Sequence, residues 1–127
     1  MSEQQNRETL EHYFQAFEQR DIDAMEELLH DDYIEEYPQS GERIRDKDNW
    51  RKIAENYPGL PSAIERSYVL SGDLGVMKMT PDYDGNRVYA CEIVDFEDGK
   101  VKRVRAYFAE PLEAPEWRAQ WVESMEP

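Results

Sequence analysis

The chain has 127 residues, 39% apolar and 35% charged, enough for one folded domain with a small-molecule cavity and too short for a second domain. Its net charge of −14, from 29 acidic against 15 basic residues spread along the chain, argues against nucleic acid and anionic membranes as partners. No stretch approaches the roughly 20 consecutive apolar residues of a membrane span. No basic N-terminus leads into an apolar run, and the single Cys91 excludes an internal disulfide, so a cytoplasmic protein is expected. Ten arginines against five lysines give an acidic, lysine-poor surface that suits a salty cytoplasm as well as ordinary solubility.

Ser2 with Gln5 resembles a capping box, and Leu10, Tyr13, Phe14 and Phe17 follow at the spacing of an amphipathic helix. Asp21 can cap a second helix with Ile22, Met25, Leu28 and Leu29 inward, ending at Asp31 and Asp32. Tyr33 to Tyr37 reads as a short strand stopped by Pro38 and the turn Gln39, Ser40, Gly41. A third helix, capped by Asp46, carries Trp50, Ile53, Ala54 and Tyr57 on its buried stripe and ends at Pro58 and Gly59.

Ala63 to Leu70, Val76 to Tyr83 and Arg87 to Phe96 read as strands, with turns at Ser71 to Gly75 and at Asp84, Gly85, Asn86. Pro81 marks an edge or a bulge in the middle one. Glu97, Asp98 and Gly99 turn into a last strand, Lys100 to Ala109, where Val104, Ala106 and Phe108 alternate with Arg103, Arg105 and Tyr107. Pro115 then starts a tail helix, with Trp117 and Trp121 on one face, expected to dock as a lid. The order gives an α+β fold, helices against one face of a curved sheet, as one domain over residues 1–127.

Glu92 stands out in this pattern. Every second residue around it is apolar, from Val88 and Ala90 to Val94 and Phe96, so a carboxylate lies on the inward face. An ionised carboxylate buried unpaired costs several kcal/mol, roughly, and such a group is normally protonated, hydrogen-bonded or poised for chemistry. The opposite face, with Tyr89, Cys91 and Ile93, is apolar too, which suggests that a second subunit covers it. Cys91 has no matched histidine and reads as packing.

Two segments, Tyr13 to Pro38 and Val88 to Glu110 ending in DGKVKRVRAYFAE, resemble the SnoaL-like branch of the nuclear transport factor 2-like superfamily, which also includes ketosteroid isomerases and limonene epoxide hydrolases. The resemblance implies a cone, a curved mixed sheet wrapped on three N-terminal helices around an apolar pocket, usually in homodimers. Position by position, Tyr13 falls where ketosteroid isomerases carry their oxyanion tyrosine and Glu92 where they carry a protonated acid. Their base falls on Tyr37, with Glu35 and Glu36 adjacent but displaced. The epoxide hydrolase's arginine and second aspartate fall on Ala90 and Ala106, which disfavours that reaction, while the late acid of SnoaL-type cyclases corresponds to Glu92 or Glu110.

Tyr13 and Glu92 are therefore the catalytic candidates. Phe17, Tyr33, Tyr37, Trp50, Tyr57, Val104, Ala106, Phe108 and Trp117 are the expected ligand contacts, and their aromatic character suits an apolar or ring-shaped molecule. His12 and His30 lack metal-ligand spacing, and neither a calcium loop nor a Gly-rich phosphate cradle occurs, so no metal or cofactor is implied. Two functions fit: cofactor-free proton transfer, isomerisation or cyclisation of an enolisable carbonyl compound, or non-catalytic ligand or protein binding on the same scaffold.

Overall fold

Short polar side chains start two of the three helices. Asp46 accepts from the Asn49 N–H at 2.8 Å and caps α3 (Lys47–Glu55), and Asp21 accepts from Ala24 N–H at 3.0 Å at the start of α2 (Ile22–Glu27), each satisfying a backbone donor the helix leaves free. Helix α1 (Ser2–Glu18) buries Leu10 and Ala16 and leaves His12 exposed. It ends with Arg20 in the left-handed region, φ 57°, where the Asp21 and Arg20 N–H groups reach back to the Ala16 and Phe17 carbonyls. The computed structural model describes residues 2–57, 59, 61 and 63–125; Pro58, expected to end α3, lies outside them.

The strands are β1 (Leu29–Tyr37), β2 (Glu42–Ile44), β3 (Ala63–Ser71), β4 (Leu74–Tyr83), β5 (Asn86–Arg87), β6 (Tyr89–Glu97) and β7 (Lys100–Ala109). They form one sheet in the order β2-β1-β7-β6-β4-β3, with β5 paired to β4. β1 and β7 run parallel and the other neighbours antiparallel. The α+β expectation holds: the helices pack on one face of a curved, unclosed sheet.

Sheet pairing overrides helical spacing after α2. The second helix stops at Glu27, and Leu29, expected on its inward stripe, opens β1 opposite Val101. The Leu28 carbonyl accepts from Val101 N–H at 3.0 Å and Glu27's from Lys100 Nζ at 2.6 Å. The segment with His30, Asp31 and Asp32 is therefore strand rather than helix end. The turn expected after Pro38 leads into β2, too short and too charged for its alternation to register.

Curvature comes from irregular register. Asp95 pairs with Arg103 but Phe96 with Val101, so β7 carries one extra residue, Lys102, and both Val101 and Val104 turn inward. Pro81 sits where β4 changes partner, after its β6 pairing ends at Met79 and before β5 takes over at Asp82. Its missing N–H costs no ladder bond there, while its carbonyl accepts from Val88 N–H at 3.0 Å. Asp98 and Gly99, φ 54° and 73°, form the two-residue turn between β6 and β7.

Helix α1 is pinned to this sheet at two turns. Asn6, fully buried, donates to the Gly72 carbonyl at 3.0 Å and to Asp73 Oδ1 at 2.9 Å, while Thr9 donates to the Gly99 carbonyl at 2.5 Å. The Gln5 side chain lies against Gly99.

Candidate functional site

Between α1, α2, α3 and the concave sheet face lies a cavity of about 460 Å³. Its deep end is apolar and tightly closed by Leu10, Met25, Leu29 and Val94. Its mouth is marked by Ile53, Tyr57 and Phe108, which line it yet remain well exposed. A chamber of this size, mostly apolar with a few polar groups, suits one small organic molecule.

Of the three glutamates that line this chamber, Glu55 at the end of α3 bonds Arg51 at 3.2 Å, while Glu35 and Glu92 stand on the sheet. Glu35 stands on β1 opposite Val104 of β7, and Val104 stands opposite Val94 of β6, two residues beyond Glu92 on the same face. The two acids thus approach the cavity diagonally across the central strand. The Tyr33 and Tyr37 hydroxyls donate one to each oxygen of Glu35. Burial pushes the Glu35 carboxyl above the ordinary value, and the two tyrosine hydrogen bonds pull it back.

Glu92 has no such support: among the described residues it has no hydrogen-bond partner. Burial first, and then the charge on Glu35, push its pKa up to about 8. Glu92 lines the cavity and is only partly exposed. The charge of Glu35 raises Glu92 and not the reverse, so of the two carboxyls Glu35 gives up its proton first.

Tyr13 lines the same chamber from α1 and hydrogen-bonds Trp50 of α3. Since an indole only donates, the Tyr13 hydroxyl accepts that bond and keeps its own proton for a ligand or Glu92. Burial and the charges of Glu35 and Glu92 raise its pKa, as burial and Glu35 raise those of Tyr33 and Tyr37. The polar end of the cavity is thus the Glu35 carboxyl with two tyrosine donors, beside the Glu92 carboxyl and a third tyrosine.

The cationic lining residues are spoken for. Arg66 bonds Glu18 at 2.9 Å and lies 4.4 Å over the Phe14 ring, and Arg20 lies 5.0 Å over Phe17. Across the mouth, the hydroxyls of Tyr57 and Tyr83 meet at 3.0 Å and join the end of α3 to the end of β4.

Of the expected ligand contacts, Phe17, Tyr33, Tyr37, Trp50, Tyr57, Val104 and Phe108 line the cavity. Ala106 is buried in β7 opposite Glu92 and does not line it. Trp117 is not among the lining residues: the tail forms a short 3-10 turn, Glu116–Trp121, whose tryptophans are 74% and 72% exposed. Glu110 is likewise exposed beyond the end of β7. Glu35 is the site residue that counting positions passed over, since alignment put the base on Tyr37; the alternation Tyr33, Glu35, Tyr37 carried the signal.

His30, Glu97 and Asp98 are the group of metal-type donors gathered among the described residues. His30 Nδ1 accepts from Asp32 N–H at 3.0 Å, which sets the ring proton on Nε2, 3.1 Å from Glu97, and Lys102 holds both Glu97 oxygens at 3.0 and 3.1 Å. These bonds make a closed surface network that ties the start of β1 to the β6–β7 turn.

No helix among the described residues is long and apolar enough to cross a membrane. Among curated proteins none matches the sequence. Solved structures do: an NTF-2 like protein of unknown function from Burkholderia xenovorans is 37% identical over 98% of both chains, with a TM-score of 0.84. A candidate ketosteroid isomerase from Kribbella flavida is 23% identical over 99% of this chain and 93% of its own, TM-score 0.85. An LEH-like epoxide hydrolase from M. tuberculosis is 20% identical over 85% of each chain, TM-score 0.67. The last two share the fold alone. Residues 10–104 match the SnoaL-like domain, and the chain belongs to that family, within the nuclear transport factor 2-like superfamily.

Proposed function

We propose that this small-molecule pocket protein is an enzyme that moves a proton on an enolisable carbonyl compound without a cofactor, as an isomerase or cyclase. The observation that carries this reading is the pairing, in one apolar cavity, of two carboxyl groups in unlike settings: Glu35 held by two tyrosines and Glu92 without a hydrogen-bond partner and pushed up to about 8. The chemistry needs one ionised and one neutral at once. Glu35 takes the proton from the carbon beside the carbonyl, and that C–H electron pair moves into the enolate. Glu92, neutral, donates a hydrogen bond to the developing oxyanion, with Tyr13 as second donor. Glu35 then returns its proton to the same or a conjugated carbon. A base and an acid whose environments push them apart is the pattern such catalysis uses.

The apolar walls and aromatic mouth favour a ring-bearing, uncharged ligand. The fold likeness to the Kribbella flavida protein adds weight to isomerase-type chemistry, as analogy. We further propose a homodimer through the outer sheet face, where Val76, Cys91 and Ile93 are only partly exposed in a single chain.

The test is deuterium exchange. A panel of cyclic ketones and 1,3-diketones is incubated with the protein in D2O, and loss of the α-proton signal is followed by NMR. The wild-type chain exchanges at least one member above the buffer rate, Glu35→Gln slows that exchange by about 10²–10⁴-fold and Glu92→Gln by a smaller factor. Binding without exchange would favour the second reading, a ligand-binding domain, in which both Glu35 oxygens serve only Tyr33 and Tyr37.

A further inference from the structure

The chain does not end with the cone. From Glu110 to Met125 an arm leaves β7 with Leu112, Trp117, Trp121 and Met125 exposed, an apolar display that an isolated chain leaves in water. The arm is also acidic, four carboxylates against the one Arg118.

The outer sheet face has the opposite character. One row runs across it from Val69 and Val76 through Ile93 to Arg105 and Glu36, and ends at Arg43. The next row sets Lys78, Cys91 and Tyr107 side by side. Arg103, Arg105 and Arg43 converge on Glu36, whose carboxyl they hold down near 2. In a molecule of net charge −14, this is an apolar strip bordered by guanidinium groups that share a single carboxylate. Tryptophans on an acidic segment and arginines beside an apolar strip complement one another in area, charge and cation–π capacity.

We infer that the arm of one copy packs across the outer sheet face of a second copy, setting Trp117 and Trp121 against the Val76–Ile93 strip and its arginine border. This rests on the homodimer proposed above and adds what holds it. Each copy brings one arm and one face, so a two-fold pair satisfies both and closes. Ala109, from which the arm departs, lies beside Tyr89 at the end of this face.

Cys91, the single cysteine, stands on that strip and reports on it. Full-length wild-type and Trp117→Ala/Trp121→Ala chains are compared by light scattering on a sizing column and by the rate at which a maleimide labels Cys91. The inference predicts a wild-type dimer with slow labelling, and a double variant whose dimer is weaker by about a hundredfold or more, with labelling at least tenfold faster. A double variant that stays dimeric with Cys91 protected overturns the arm and leaves the dimer. A wild-type monomer, or a dimer with freely reactive Cys91, overturns both.

Discussion

The charge on Glu35 helps keep Glu92 protonated. The two side chains reach one cavity from β1 and β6, and Glu35, steadied by Tyr33 and Tyr37, ionises first and makes a second negative charge beside it costly. The two carboxyls of one site thereby titrate apart, Glu35 before Glu92.

Stability should reveal the acid. Folding raises Glu92 from 4.5 to about 8, so between those values the folded chain binds a proton that the unfolded chain does not. Stability therefore falls as pH rises from about 4.5 to about 8 and levels off above. Glu92→Gln, always neutral, removes this dependence. Urea unfolding should find the variant equal to wild type near pH 4.5 and more stable by about 1–3 kcal/mol at pH 9.

Where a substrate is turned over, kcat/KM should follow a bell. Glu35 must lose its proton and Glu92 keep its own, which places the alkaline limb near pH 8 and the acid limb above the ordinary carboxylate value. Glu92→Gln should lose the alkaline limb and keep the acid one. A profile with both limbs in that variant would assign the acid elsewhere.

The tyrosines that hold Glu35 tune the base. Removing one hydroxyl, by Tyr33→Phe or Tyr37→Phe, withdraws a donor that favours the carboxylate, so the acid limb moves to higher pH. Tyr13→Phe should instead lower kcat by about 10- to 1000-fold with the limbs little moved, because that hydroxyl serves the ligand oxygen.

The contact of α1 with the β6–β7 turn depends on a glycine. Gly99 has φ 73°, and a Cβ there would run into the Gln5 side chain. Gly99→Ala should destabilise by about 1–3 kcal/mol in thermal or urea unfolding. The same substitution at Gly72, φ 60° but with open space around it, isolates the backbone part of that cost.

Much of this fold is legible in the sequence because its signals are local. Asp21 and Asp46 announce their helices, Asp98-Gly99 its hairpin, and the alternation from Lys100 to Ala109 matches β7 end to end. What local pattern misses is decided at long range. Leu28 and Leu29 keep helical spacing with Met25, but pairing with Val101 draws them out of the helix. The site divides the same way. Glu92 is visible because its strand neighbours are apolar, whereas Glu35 hides in the run His30 to Glu36, where acids occur on both faces and only the pairing with β7 says which turns inward. For the arm, an amphipathic spacing fixes which residues share a side, and not what that side meets.

The central claim is that, near neutral pH, Glu92 is a carboxylic acid beside an ionised Glu35. Chains labelled with carbon-13 at the glutamate carboxyl and titrated by NMR test it directly, with Glu35→Gln and Glu92→Gln for assignment. The account predicts one resonance with a midpoint near 8 that is absent from Glu92→Gln and moves to lower pH in Glu35→Gln. A Glu92 resonance titrating near 4.5, unmoved by Glu35→Gln, would contradict it.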